Sequence, residues 1–146
     1  MKHFVFPLAR IRAWNLARRQ IEEAALEAII DRQRRSEDAY SLICLQRAEF
    51  EQRTLRRQLI ESSELARVEQ FRVYATAEGH RLQKAQAEFA VQIAERRARI
   101  VEISRKIELL DRLRQRQQAA WTAAETKELQ SAADEAFLQQ LIAKRG

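Results

Sequence analysis

The sequence predicts an all-α fold, a long antiparallel two-helix coiled coil that forms a rod-shaped α-hairpin over residues 1–146 as a single domain. Three observations carry that expectation. The 146 residues include only two Gly and one Pro, and one glycine is Gly146. Ala, Leu, Glu, Arg and Gln dominate, and all are good helix formers. Ile100, Ile103, Ile107 and Leu110 recur at alternating steps of three and four residues. The same lattice runs from Leu65 to Ala124 through 18 positions, 12 of them apolar. A seam this long with a 3.5-residue average period is a coiled-coil pattern. At about 1.5 Å per residue, 60 helical residues span roughly 90 Å, so the stripe needs another helix beside it.

Taken in order, residues 1–7 read as extended. Phe4 and Phe6 alternate with Val5, and Pro7 sits where a first helical turn can begin. The first helix is expected over about 8–60, with Ile11, Trp14, Ile21, Ala25 and Ala28 on one face. Near Leu26 the stripe shifts phase and continues as Ile29, Tyr40, Ile43 and Phe50. Gln33 and Ser36 interrupt it, which reads as a stutter in the seam. A reversal is expected within about 60–65, at Glu61-Ser62-Ser63-Glu64. Ser is a preferred N-cap there, and a first-turn carboxylate suits the helix dipole. Gly79, the only interior glycine, is the other candidate, but the lattice passes through it without losing phase. Gly79 is then a seam position that permits close helix approach, or a weak point costing about 1 kcal/mol relative to Ala.

The second helix is expected over about 64–142. Antiparallel folding about that turn sets Trp14 near Leu110 and Asp111, and Leu8 near Gln117. The stretch from Glu125 to Gly146 overhangs the first helix. Within it, Phe137, Leu138, Leu141 and Ile142 make a short apolar patch. Two readings stand: packing against Phe4 and Phe6, or a docking tip for another protein.

The net charge of +6 comes from 27 basic and 21 acidic residues. It suits an acidic partner or nucleic acid, but the signs are interspersed. Glu95–Arg99, Glu102–Lys106 and Glu108–Arg112 are i,i+4 pairs in the favourable order of a solvated helical face. The Arg pairs at 18–19, 34–35 and 56–57, and the cluster at 96–99, never form the dense basic run of a DNA-reading helix. Nucleic acid is therefore disfavoured as a partner. The single cysteine, Cys44, allows no internal disulfide and reads as a small buried side chain. No apolar run is long enough to span a membrane and the N-terminus lacks a signal-peptide core, so a cytoplasmic location is expected. There is no glycine-rich phosphate loop, and His3, His80 and Cys44 are too scattered for a metal. The expectation is a non-enzyme with no cofactor, no metal and no small-molecule substrate.

The two ends are more specific. Phe4-Val5-Phe6-Pro7-Leu8-Ala9-Arg10-Ile11-Arg12 resembles the F-x-F-x-L-x-x-[LI] opening of the flagellar FliJ family. Leu110-Asp111-Arg112-Leu113-Arg114-Gln115-Arg116 is similar to that family's L-E-K-L-R-E-R stretch. Glu125 and then Ala133-Asp134-Glu135-Ala136 resemble its L-D-E-x-A ending. The order, spacing and length fit over the whole chain. Departures are Glu108, where the family often has Lys, and Ala133, where it often has Leu.

The resemblance implies a stalk similar to the central stalk of rotary ATPases. It implies binding to the hexameric flagellar export ATPase ring, to the membrane export gate and to export chaperones, at the inner face of the cell membrane at the flagellar base. Carried onto this sequence, the gate contacts are Ile43, Phe50, Phe71, Ala75 and Leu82. Ala75 and Leu82 also lie on the seam and read equally well as core, whereas Phe71 reads as off the seam and exposed. The ATPase end carries Arg112, Arg116, Trp121, Phe137 and Leu141. An injectisome stalk or a generic coiled-coil scaffold is the alternative in the same structural class, and a basic nucleic-acid-binding rod is the alternative from another.

Overall fold

The structure, a computed structural model, describes residues 2–56 and 62–145. It is all-helical, with two long helices, α1 over Ala9–Arg56 and α2 over Ser62–Arg145, and no strand among the described residues. Contacts between the helices are consistent with a helical hairpin. The reversal expected at about 60–65 falls partly on 57–61, outside the described residues. Ser62, Ser63 and Glu64 already belong to α2. Gly79 lies within α2 and has no positive φ.

The start of α1 follows from Pro7. The Ala9 amide donates to the Phe6 carbonyl at 3.2 Å, closing a turn around Pro7. The Leu8 carbonyl then accepts the Arg12 amide at 3.0 Å, the first bond of the helical ladder.

The α2 seam follows the expected lattice closely. Ala75, Leu82, Ile93, Ile103 and Ile107 are its buried side chains, and Val68, Phe89, Ile100, Leu110 and Trp121 are half-buried along it. The ends depart by one residue. Phe71 and Glu64 are half-buried where Arg72 and Leu65 are exposed, and Glu125 is half-buried where Ala124 is exposed. A helix repeating nearer 3.6 residues drifts about 20° per heptad against a strict 3.5 lattice. The contacting position therefore falls one residue farther out at each end.

The α1 seam differs from expectation in its first half and matches it from Ile29 to Phe50. Ile11, Trp14 and Ile21 are exposed, Trp14 at 60%, so the face they were expected to share is not buried. The inward positions are Leu8, Arg12, Asn15, Arg19, Glu22, Leu26, Ile29, Gln33, Ser36, Tyr40, Ile43, Phe50 and Thr54, all buried or half-buried. They keep strict alternation of four and three residues except across exposed Arg47, so there is no stutter. From Ile29 to Phe50 these are the expected positions, whereas from Arg12 to Glu22 the inward residues are polar and mark no apolar stripe. Arg12 and Glu22 face carboxylate and guanidinium partners on α2, while Trp14 lies outside with the Arg18 guanidinium 4.7 Å from its ring centre.

The chain divides into two compact units. One comprises Met1–Arg19 with Glu102–Gly146, and the other Gln20–Val101. In the first, Arg12 Nε donates to Asp111 Oδ1 at 2.5 Å, and the Phe4 ring lies 6.2 Å from that of Trp121. The expected neighbour of Asp111 was Trp14; Arg12 takes that place. In the second, Arg96 donates to Glu22 at 2.7 Å, Gln83 donates to the Tyr40 hydroxyl at 3.0 Å, and the Phe50 and Phe71 rings lie 4.9 Å apart.

Candidate partner-binding surfaces

In the unit formed by Met1–Arg19 and Glu102–Gly146, the N-terminal strap is tied down by its aromatics. Phe6 is buried and Phe4 packs at a 54° tilt on half-buried Trp121. Two of the three stretches that carry the family resemblance, 4–12 and 110–116, thus meet here, joined by the Arg12–Asp111 ion pair, while the third, 133–136, is exposed. Arg112 reaches back to Glu108 at 2.7 Å, and Arg116 is exposed. Trp121 is only partly available because Phe4 covers one side of it. From Thr126 to Arg145 every side chain is exposed. Phe137, Leu138, Leu141 and Ile142 are among them, Phe137 at 62%. With Phe4 on Trp121 and Phe6 buried, the reading in which that patch packs on the N-terminal phenylalanines does not hold.

In the unit Gln20–Val101, the five residues carried over as gate contacts separate into three kinds. Ala75 and Leu82 are core, 3% and 5% exposed, and offer a partner no surface. This corrects their place among the contact residues; their seam spacing explains it. Phe50 and Phe71 stack at a 38° tilt, each half-buried. That corrects the placement of Phe71 off the seam. A shallow groove beside the pair is lined by Gln46, Glu49 and Arg53. Ile43 is half-buried and lines a second groove with Tyr40, Cys44, Gly79 and His80. Cys44 is exposed rather than buried, because it sits one residue beyond seam position Ile43.

At Gly79 an added Cβ would lie 3.6 Å from Tyr40 Cε2, an ordinary van der Waals contact. Close approach of the helices therefore does not require glycine at this position. Next to it, Glu78 accepts a bidentate hydrogen bond from the Arg81 guanidinium, which holds its carboxyl below the usual carboxylate range and raises Arg81.

Sequence reasoning missed Leu45, Val73 and Tyr74, all exposed in this unit. Their signal was present: large apolar side chains that belong to neither seam.

Among the described residues no group of three or more His, Cys, Asp and Glu could hold a metal ion. Among them, too, no helix is long and apolar enough to cross a membrane. In comparisons with family models, curated proteins and solved structures, the chain has no match.

Proposed function

We propose that this chain is a non-enzymatic, stalk-like component of a flagellar type III export apparatus. It would bind the hexameric export ATPase, promote its assembly, and link it to the export gate and to export chaperones at the inner face of the membrane. The observation that carries the reading is the meeting of the two motif-bearing ends in one compact unit. Phe4 lies on Trp121 and Arg12 pairs with Asp111, so the stretch resembling the FliJ family's opening is joined to the one similar to its L-E-K-L-R-E-R stretch.

A stalk also needs two helices paired over a long distance, and the reading includes an antiparallel, rod-like coiled coil. Supporting it, within each unit a residue later in the segment up to the end of α1 meets a residue earlier in α2. Phe4 and then Arg12 meet Trp121 and then Asp111 in one unit. Glu22, Tyr40 and Phe50 meet Arg96, Gln83 and Phe71 in the other.

In this reading Arg112, Arg116 and the exposed Phe137 and Leu141 contact the ATPase, with the free edge of Trp121. The gate surface is the Ile43, Phe50 and Phe71 region, extended to exposed Val73 and Tyr74 and without Ala75 and Leu82. The interspersed charges favour polar contacts that can be broken and remade as ring subunits change state.

The test is ATP hydrolysis by the cognate export ATPase, measured with and without the purified chain and with added duplex DNA. Stimulation that DNA leaves unchanged is expected. No stimulation, together with duplex binding that falls steeply with salt, would replace this reading with the nucleic-acid one.

A further inference from the structure

The end of α2 carries a self-complementary face. Asp134, Leu138, Leu141 and Arg145 follow one another at steps of four, three and four residues, so they share one side of the helix. Phe137 and Ile142 flank that side symmetrically. All six side chains are exposed, and neither Asp134 nor Arg145 has an ion-pair partner among the described residues. Along the face the order is acid, apolar, apolar, base.

We propose that this face docks a second copy of the same segment, running antiparallel about a two-fold axis between Gln139 and Gln140. Charge complementarity selects this pairing. Antiparallel pairing sets Leu138 of each copy against Leu141 of the other, and Asp134 of each against Arg145 of the other. Glu135 and Lys144 add the same signs at the same levels. Parallel pairing instead sets acid on acid and base on base. A closed two-fold contact uses one patch twice, and a patch of this size makes a reversible dimer rather than an obligate one. The inference does not rest on the export reading. It does constrain it: a chain paired this way covers Phe137 and Leu141, so it must dissociate before those residues meet an ATPase.

The test is sedimentation of the full chain up to its highest soluble concentration, with helicity followed by circular dichroism. A reversible monomer–dimer equilibrium is expected. Asp134→Lys alone and Arg145→Glu alone each place like charges at both ends of the contact and should weaken association at least about tenfold. The double variant, and a mixture of the two single variants, restore opposite charges and should recover it. Both positions are exposed, so helicity should be unchanged throughout. A chain that stays monomeric at every concentration overturns the proposal. So does association that ignores the single swaps, or that the double variant fails to recover.

Discussion

The seams of α1 and α2 follow the same heptad rhythm, but α1 mixes more polar residues among its apolar ones. Along α2 the buried positions are Ala75, Leu82, Ile93, Ile103 and Ile107. Along α1 they are Asn15, Ile29 and Ser36, with Arg12, Arg19, Glu22 and Gln33 half-buried on the same seam. The apolar positions supply buried area, the main favourable term in association. The polar positions that α1 adds cost free energy unless they are paired. Arg12 and Glu22 meet that condition through Asp111 and Arg96. Asn15 meets it halfway: its amide donates to the Ile11 carbonyl at 3.0 Å, but its Oδ1 has no partner, and neither does Ser36 Oγ. A polar residue at a seam position fixes register at a cost in stability. The contrast therefore separates what holds the helices together from what tells them where to stop sliding.

The largest expected effect lies on the apolar seam. Ile103 is 3% exposed, and Ile103→Ala should lower stability by about 2–4 kcal/mol in urea unfolding. A loss under about 1 kcal/mol would mean that α2 does not supply the cohesion. Asn15→Leu is the counterpart on α1. It should raise stability by about 1 kcal/mol or more, because a buried unpaired oxygen is removed. A destabilised variant would show that Asn15 is part of the cohesion rather than a device for register.

Gly79→Ala should stabilise by up to about 1 kcal/mol, since helix propensity improves and the added Cβ meets Tyr40 at ordinary contact distance. Destabilisation would mean that the helices approach more closely there than that contact indicates. The smallest effect is a pH dependence. The Arg81 hydrogen bond lowers the Glu78 pKa on folding. Its contribution is therefore present above the unfolded value and is lost as the pH falls through the lowered one. Glu78→Gln should narrow the difference in stability between neutral and acid solution, read from melting curves at several pH values.

Most of α2 was legible from sequence because isoleucines at threes and fours announce a period without help from any partner. Its ends were less so: Phe71 lies one residue from the strict lattice, and slow drift of a helical repeat is invisible where the next residue is Arg72. The first half of the α1 seam is hidden for a different reason, while Ile29, Tyr40, Ile43 and Phe50 mark the second. Arg12, Asn15 and Glu22 look like surface residues until Asp111 and Arg96 stand opposite, and Trp14 and Ile21 advertise the wrong face. The two surfaces divided along the same line. The exposure of Phe137 and Leu141 is legible because they are large, apolar and beyond the pairing. Ala75 and Leu82 read equally as contacts or core because a seam position and a docking position have the same residue type, and only burial separates them. Cys44 reads as buried from its apolar neighbours Ile43 and Leu45, although its own position lies off the seam and is exposed.

In the unit formed by Met1–Arg19 and Glu102–Gly146, the start of the α1 seam faces α2 with Arg12 at Asp111. In a Cys44→Ser background, Arg12→Cys with Asp111→Cys can be treated with a short bis-maleimide and resolved by mass spectrometry. Arg12→Cys with Glu135→Cys serves as the control. The expected result is rapid cross-linking within one chain for the first pair and little for the second. Equal yields for both pairs, or cross-links only between chains, would contradict the register and with it the meeting of the two motif-bearing ends.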